Sequence, residues 1–327
     1  MATKEELLKL FENNKGVFLS GEEIAEKLSL SRTAVWKAVN SLRKDGYRID
    51  AVQNKGYCLA IDTDILSAEG ILKYLEPVCS NLELTVLPVT DSTNNLLREM
   101  AAAGAPEGRC VIANSQTMGK GRLGRVFYSP ADTGVYLSLL LRPGQCSAEQ
   151  ASKLTTMAAV AACEAIEDVS DEKASIKWVN DIYMNDRKVS GILTEASFDL
   201  ESGYLEYAAL GIGINIYPPK TGFPEEIKDI AGAVFRAPRN DGKNRVAAAF
   251  LNHFMEYYTA GNSADYAVRY RDRSFLIGRD INVLFRDGKR SATAIDVDPD
   301  CHLIVRYEDG SEDCLSSGEV SLRLADK

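Results

Sequence analysis

The chain has 327 residues, of which 45% are hydrophobic and 26% charged, and its formal net charge is −9. This length is enough for two or three domains, and the composition is that of an ordinary globular protein. No apolar run approaches the ~20 residues that span a bilayer, and the acidic start is unlike a secretory signal. We therefore expect a cytoplasmic protein without a membrane partner, and the acidic total argues against one that coats nucleic acid.

The cysteines and histidines do not suggest disulfide or metal chemistry. There are seven cysteines, an odd number, and no pair is spaced Cys-x-x-Cys, which favours free thiols. We expect neither of the two histidines, His253 and His302, to lie in a cluster of metal ligands. The sequence therefore predicts no metal site and no Ser-His-Asp triad.

Three short helices and a hairpin are predicted over the first sixty residues. The first helix covers 5–13, and the second follows a Ser-x-x-Glu capping box that begins at Ser20. The third begins after Ser31 and ends at Asp45-Gly46. The helix pair over about 21–40 matches a helix-turn-helix, and the hairpin behind it, with its turn at 54–56, is typical of a wing.

This region is basic although the whole chain is acidic. From Ser31 to Tyr57 there are six cations and two anions, which leaves −13 for the remainder of the chain. Outward side chains of the third helix, Arg43 among them, can reach phosphates and base edges in a major groove. The alternative is a small interaction domain with a solvated polar face. The residues predicted to bind DNA are Ser31, Arg32, Thr33, Trp36, Lys37, Asn40 and Lys55.

From about Ile65 onward the pattern becomes mixed α/β. The predicted helices cover about 67–75, 91–100, 149–168 and 244–260. The predicted strands are 82–89, 110–113, 136–141, 175–184, 188–196 and 204–216. A hairpin with its turn at Asn185-Asp186 joins the strands 175–184 and 188–196. Hairpin-linked strands with helices on one side predict an α+β domain rather than a doubly wound one.

A glycine-rich loop covers residues 115–125. Residues 119–124 formally spell Gly-x-Gly-x-x-Gly, but that dinucleotide motif must open a helix, and the residues after Arg125 read as extended chain. Three glycines with Lys120, Arg122 and Arg125 instead suit a loop that closes over an anionic ligand. The alternative is a surface loop with scattered charges.

Two further segments are candidates for binding. The first joins Lys-Trp-Val-Asn-Asp at 177–181 to the strand 188–195, in which alternation places Lys188 on the same face as Ser190 and Thr194. A lysine there needs an anionic partner, or its amine extends to solvent. The second is Gly-Ile-Gly-Ile-Asn at 211–215, where glycines permit close approach of a ligand or another backbone; the alternative is a bulge without function.

Short strands separated by tight turns are predicted after Phe275. They cover 280–285, 291–297, 302–307 and 320–324, and Asp-Gly pairs at 287–288 and 309–310 mark hairpins. A small SH3-like β-barrel fits this pattern.

Together these segments resemble the biotin protein ligases, in the bifunctional form that is also the biotin operon repressor. The resemblance covers nearly the whole chain and includes 91–94, 186–188 and 318–323. The loop and the 177–181 segment, in this order and spacing, are its most specific parts. The helix-turn-helix separates the chain from ligases without a repressor function, and the arginine-arginine and triple-glycine loop of lipoate ligases is missing.

The resemblance implies an α+β multidomain protein. Its parts would be a winged helix-turn-helix over 1–62, a mixed α/β ligase domain with a class II synthetase-like sheet over 65–272, and an SH3-like barrel over 275–327.

The resemblance also implies roles for individual residues. Lys188 and Arg122 would be the catalytic cations, with Lys188 against the biotin carboxylate and the α-phosphate of ATP. Biotin would be bound by Ser92, Thr93, Asn94, Gln116, Lys120, Gly121, Arg122 and Lys188. The adenylate would be bound by Arg125, Phe127, Asn180, Asp181 and Asn215.

Four positions depart from the family. Lys120 and Leu123 stand where arginine is frequent, Phe127 where tryptophan is familiar, and Val179 where proline is usual. Lysine cannot make the bidentate contact of arginine. We therefore expect ligand affinity and loop motion, rather than the reaction, to differ.

The implied reaction has two steps. Biotin and ATP, the latter with Mg²⁺, would give biotinyl-5'-AMP and pyrophosphate, and a lysine of a biotin carboxyl carrier protein, a subunit of acetyl-CoA carboxylase, would then displace AMP. The adenylate would also act as corepressor, because it promotes a homodimer that binds a palindromic operator. The alternatives are a ligand sensor without turnover and a ligase for another acid such as lipoate.

Overall fold

The computed structural model describes residues 2–144, 147–199, 201, 203–261, 265–285 and 288–322. Its strands form a two-stranded, a seven-stranded and a five-stranded sheet, which follow one another along the chain. This is the predicted α+β multidomain architecture. Asp287 of one predicted turn, Arg323 at the end of the 318–323 motif and Cys146 lie outside the described residues. None of the helices in the described part of the chain is both long enough and apolar enough to cross a membrane.

The N-terminal part is a helix-turn-helix followed by a β-hairpin. Its second and third helices begin as the sequence predicts, because the hydroxyls of Ser20 and Ser31 accept the N–H groups of Glu23 and Ala34 at 3.0 and 3.1 Å. A separate apolar core holds the domain together. The elements are α1 Ala2–Asn13, α2 Gly21–Lys27, α3 Arg32–Lys44, β1 Ile49–Val52 and β2 Gly56–Leu59.

The central sheet has seven strands in the order β3-β4-β5-β9-β8-β7-β6, and all neighbours are antiparallel except the parallel pair β3–β4. The strands are β3 Glu83–Leu87, β4 Arg109–Ala113, β5 Gly134–Leu141, β6 Ser175–Lys177, β7 Asp181–Met184, β8 Arg187–Phe198 and β9 Leu205–Asn215. The helices are α4 Ala68–Leu72, α5 Thr93–Ala102, α6 Ala148–Val169, α7 Gly242–Ala260 and α8 Tyr266–Arg273.

Helices cover both faces of this sheet, which corrects the prediction that they lie on one side. The long helices α6 and α7 share the main core with one face. On the opposite face, Leu97 of α5 packs with Val111, Leu140 and Ala209 in a smaller cluster. The strands β4, β5 and β9 are buried along nearly their whole length, which agrees with helices that cover both faces of the sheet.

The prediction of one continuous strand over 175–184 is wrong. The chain reverses at 178–180, so that β6 and β7 pair with each other as a short hairpin. Burial of Trp178 is the physical reason: its indole Nε1 donates to the carbonyl of Cys301 in the C-terminal part at 3.0 Å. Because Cys301 is far from Trp178 along the chain, the local alternation of apolar and polar residues does not reveal this contact.

The C-terminal sheet has the order β13-β12-β11-β10-β14, all antiparallel, so that the last strand returns beside the first as in SH3-like folds. Its β13 is absent from the prediction because three of its four residues are exposed and lack an apolar alternation. The strands are β10 Asp280–Phe285, β11 Gly288–Val297, β12 Leu303–Tyr307, β13 Glu312–Leu315 and β14 Glu319–Leu322.

Candidate active site and nucleic-acid interface

A cavity of about 780 Å³ opens on the α5 face of the central sheet. Its wall combines the start of α5, the glycine-rich loop, the 177–181 segment, the strands β8 and β9, and the last strand β14. Every residue predicted to bind biotin or the adenylate lines this cavity: Ser92, Thr93, Asn94, Gln116, Lys120, Gly121, Arg122, Arg125, Phe127, Asn180, Asp181, Lys188 and Asn215.

The floor of the cavity is a pair of glycines on neighbouring strands. Gly191 of β8 and Gly213 of β9 are partners in register, and the ring of Phe127 lies over both. A Cβ at Gly213 would stand 2.4 Å from Cε1 of that ring, and one at Gly211 would stand 2.3 Å from Oδ1 of Asn94. The glycines of this segment therefore permit close approach of side chains, and the predicted alternative of a bulge is wrong because the register of β9 is regular over 211–215.

We expect Gly213→Ala to displace the Phe127 ring, because a distance of 2.4 Å is far inside van der Waals contact. Overpacking of this kind costs about 1–3 kcal/mol. Nucleotide affinity, measured by calorimetry with ATP, should fall about tenfold or more, as 1.4 kcal/mol of lost binding energy corresponds to a factor of ten. Phe127→Leu in the same variant should restore part of the loss. Unchanged ATP affinity in Gly213→Ala would mean that the ring does not shape the nucleotide site.

One end of the cavity is a polar network at the start of α5. Oε1 of Gln116 accepts the backbone N–H of Thr93 at 2.8 Å and its hydroxyl at 3.1 Å, while Nε2 donates to Ser129 at 3.0 Å. Buried Ser138 donates to Asn94 at 2.6 Å. Gln116 thus holds Thr93 in place, and one of the two N–H groups of its amide remains for a ligand.

Cations with anionic or carbonyl partners also line the cavity. Nζ of Lys188 lies 2.6 Å from Asp181, and Arg122 donates to Asn180 at 3.1 Å and to the carbonyl of Gly318 at 3.0 Å. Arg125 forms an ion pair with Glu319. The protein positions these cations around one space, so they can neutralise part of the charge of an anionic ligand.

Lys188 reaches the cavity through an irregularity in β8. The register with β7 shifts because Lys188 pairs with Tyr183 while Ser190 pairs with Ile182. Lys188 then lies beside Gly191, whereas Thr194 contacts Thr155 of α6 at 2.7 Å on the other face of the sheet. The prediction that Lys188 shares a face with Ser190 and Thr194 is therefore wrong. A β-bulge shifts the alternation by one residue.

The glycine-rich loop forms no helix. Its regular structure is one 3-10 turn at Arg122–Gly124, and residues 125–133, all described, contain no helix. This confirms the rejection of the dinucleotide motif. Leu123 and Val126 are 76% and 80% exposed although both line the cavity, so the loop presents apolar side chains that an incoming ligand can cover.

The cavity also contains residues that sequence reasoning missed. Lys177 belongs to the 177–181 motif, but the sequence predicts no role for it. Burial lowers the pKa of its amine, although the negative charge of Asp181 acts in the other direction. Phe223, Ile227 and Ile230 come from a segment with no regular pattern. This segment lies against β8, where the N–H of Lys188 donates to the carbonyl of Ile230 at 2.7 Å. Only this contact between β8 and residues far along the chain shows that the segment belongs to the cavity wall.

The predicted DNA-binding residues lie at the surface of the N-terminal part. Trp36 is 56% exposed, and Arg32, Thr33, Lys37 and Lys55 are exposed as well. Asn40 is half-buried, and the hydroxyl of Ser31 caps α3. Arg43 donates to the carbonyl of Ile49 at 2.6 Å, so it fixes the hairpin to α3 rather than pointing freely outward.

The histidines are less isolated than the sequence suggests. Nε2 of His253 lies 2.7 Å from Asp168. His302 forms a cluster of ligand-type side chains with Asp298 and Cys314, which contradicts the expectation that neither histidine has such neighbours. Cys314 lies on the strand that was not predicted, and so the pairing escaped sequence reasoning.

Three family models match this chain and define its class, a ligase domain joined to a helix-turn-helix. Residues 86–215 match the Biotin/lipoate A/B protein ligase family, 3–58 an HTH domain, and 276–323 the Biotin protein ligase C terminal domain.

Known relatives agree in sequence and in fold. The chain is 34% identical over 314 residues to the bifunctional ligase/repressor BirA of Bacillus subtilis (strain 168). This alignment covers 94% of this chain and 95% of the relative. It is 30% identical over 316 residues to BirA of Escherichia coli (strain K12), covering 95% of each. The chain belongs to this family of bifunctional ligase/repressors. A biotin protein ligase from Aquifex aeolicus, solved with biotin and ATP, superposes with a TM-score of 0.62 at 27% identity, covering 74% of this chain and 99% of that one.

Proposed function

We propose that this protein ligates biotin to a lysine of a biotin carboxyl carrier protein through biotinyl-5'-AMP, and that it represses transcription by binding operator DNA, both in the cytoplasm. One observation carries the proposal: residues from five separate segments, each assigned to biotin or adenylate on sequence grounds, meet at a single cavity. The family membership supports both activities.

In this proposal the polar end of the cavity binds the biotin ring system. Ser92, Thr93, Asn94 and Gln116 supply hydroxyl and amide groups there, and such groups confer orientation in an otherwise apolar pocket. The loop residues Lys120, Gly121 and Arg122 close over the bound acid. The adenylate then lies toward Arg125, Phe127, Asn180, Asp181 and Asn215.

The chemical step brings two anions together. The biotin carboxylate attacks the α-phosphorus of ATP, which arrives as its Mg²⁺ complex, and pyrophosphate leaves. Lys188 and Arg122 reduce the repulsion, and such preorganised charge is usually the largest catalytic contribution. Asp181 positions the amine of Lys188 at a distance of 2.6 Å. No nucleophile of the protein is required. The carrier lysine then attacks the mixed anhydride, and AMP leaves.

We further propose that the loop shields the anhydride from water and that the adenylate acts as corepressor. Leu123 and Val126, exposed as they are, become buried when the ligand is present, and this burial favours the closed loop. The closed form assembles as a homodimer, whose two winged helices match the two halves of a palindromic site.

The ligase proposal is tested with the pure protein, biotin, Mg-ATP and a biotin carrier domain, with the mass of the carrier as readout. We expect the addition of one biotinyl group, dependent on ATP. Lipoate in place of biotin is the matched substrate control and should add nothing. Tight biotin binding without mass addition or pyrophosphate release would instead indicate a sensor, and addition of lipoyl groups a ligase for another acid.

Arg32→Ala and Lys37→Ala are expected to weaken DNA binding, because both side chains are exposed on α3. A lost phosphate contact lowers the salt slope of log K by about one, whereas a lost base contact costs about 1–3 kcal/mol at one position of the site. Binding of a fluorescent operator fragment at several salt concentrations, with biotin and ATP present, gives both quantities. Lys173→Ala, far along the chain and 90% exposed, is the control. Normal affinity in the two α3 variants would contradict the assignment of α3.

A further inference from the structure

Three side chains of different chemistry meet at one edge of the C-terminal sheet. Asp298 follows β11, His302 precedes β12 and Cys314 lies on β13. Oδ2 of Asp298 lies 3.1 Å from Nδ1 of His302 and 3.5 Å from Sγ of Cys314. One nitrogen, one sulfur and one oxygen atom all lie within 4.8 Å of one another.

The backbone fixes the central carboxylate. Its other oxygen, Oδ1, accepts the N–H groups of Asp300 at 2.9 Å and His302 at 2.8 Å. The turn is closed again by the N–H of Cys301, which donates to the carbonyl of Asp298 at 2.9 Å. Because Oδ1 is occupied in this way, Oδ2 is directed at His302 and Cys314. Ligands held by such outer hydrogen bonds are preorganised for a metal.

The spacing fits a tetrahedral zinc ion. With Zn–N and Zn–O distances near 2.0 Å and Zn–S near 2.3 Å, neighbouring ligand atoms are about 3.3 Å apart for N and O and about 3.5 Å apart for S and O. The observed separations of 3.1 and 3.5 Å agree with these edges. Thiolate and imidazole ligands select zinc-like ions, whereas magnesium and calcium require more oxygen ligands.

We propose that Asp298, His302 and Cys314 bind one Zn²⁺, with water or an external ligand in the fourth position. Metal binding releases the thiol proton of Cys314 to solvent, while the proton on Nδ1 of a neutral His302 is lost as Nε2 gains one. The ion replaces the two hydrogen bonds that now converge on Oδ2 of Asp298. The site joins the edge strand β13 to the turn 298–302.

The same turn contacts the catalytic domain on its other side. The carbonyl of Cys301 accepts the indole N–H of Trp178, and Asp300 pairs with Lys153 of α6 at 2.7 Å. Trp178 belongs to the 177–181 segment, which forms part of the cavity wall. Bound metal therefore stabilises the C-terminal domain and the turn through which it docks on the catalytic domain.

Co²⁺ is a direct spectroscopic probe, because a thiolate ligand gives a charge-transfer band in the near ultraviolet. We expect the full-length protein, treated with chelator and kept reduced, to develop this band with one equivalent of Co²⁺ and to lose it when Zn²⁺ is added. Cys314→Ser should abolish the band, and His302→Asn should weaken Co²⁺ binding at least tenfold. Cys146→Ser and His253→Asn are matched controls that should retain it.

Two results would overturn the proposal: no thiolate band in the wild-type protein, or a band that survives Cys314→Ser. Thermal unfolding supplies a second measurement, which does not depend on the absorption of Co²⁺. Zn²⁺ should raise the unfolding temperature of the wild-type protein and of both controls, and leave that of the two ligand variants unchanged. Neither measurement uses biotin or ATP, so its result is independent of the ligase proposal.

Discussion

Lys188→Ala is expected to slow the formation of biotinyl-adenylate by about 10²–10³-fold, the usual cost of removing one preorganised charge that faces a reacting anion. The amine lies beside the glycine floor and is positioned by Asp181 at 2.6 Å. The measurement is pyrophosphate release from biotin and Mg-ATP without carrier protein, which isolates the first step from the transfer of biotin.

Two further variants separate charge from shape. Lys188→Arg keeps the charge but changes its geometry and hydration, so its rate should lie between those of the wild type and the alanine variant. Lys173→Ala, a lysine that is 90% exposed, should leave the rate unchanged. If Lys188→Ala retained at least a third of the wild-type rate, the catalytic role proposed for Lys188 would be refuted.

Lys73→Met is expected to lower the free energy of unfolding by about 3–5 kcal/mol, the usual cost of removing one partner from a buried ion pair. Lys73 pairs with Glu12 at 2.7 Å and also with Asp241, and these two acidic side chains are only 1% and 4% exposed. Lys15 lies 3.1 Å from Asp241 in the same network. Glu12 belongs to α1 and Lys73 to α4, so the network joins the helix-turn-helix to the catalytic domain.

The loss should depend on pH. Burial alone would raise the pKa of Asp241, but hydrogen bonds from Lys73 and Asn244 and the charge of Lys15 hold it below its usual value. A depressed folded pKa contributes stability above the unfolded pKa of about 3.9, and this contribution is lost as the pH falls through the folded pKa. The difference between wild type and Lys73→Met should therefore be largest near pH 7 and should shrink only as the pH falls below about 4, toward about pH 3.

Urea unfolding followed by circular dichroism at about pH 7 and about pH 3 measures this difference. Lys228→Met, which removes an exposed pair with Glu225, is the matched control and should change stability by less than about 1 kcal/mol. Adding Glu12→Gln to Lys73→Met should recover part of the loss, because it removes the buried charge of Glu12, whose remaining cation, Lys15, lies 3.7 Å away. Equal effects of Lys73→Met and Lys228→Met would show that the interdomain network contributes no more than a surface pair.

Features that depend on residues close together in the chain can be predicted from the sequence alone. The N-caps at Ser20 and Ser31, the basic stretch between Ser31 and Tyr57, and the motif at 177–181 can each be read from a few consecutive positions. Together with the family resemblance, they predicted the helix-turn-helix, the order of the domains and many of the residues that line the cavity. A cap forms within one turn of helix, so its signal survives without knowledge of the fold.

How these parts meet depends on contacts between residues that are far apart in the chain. The bulge that turns Lys188 into the cavity, the chain reversal at 178–180 and the segment 218–232 against β8 depend on partners far away along the chain. The same is true of Cys314 beside His302. Alternation and propensity report which residues are apolar, but not which distant strand they meet. Pairing across the sheets, set by the burial of side chains such as Trp178, therefore fixed the geometry of the site.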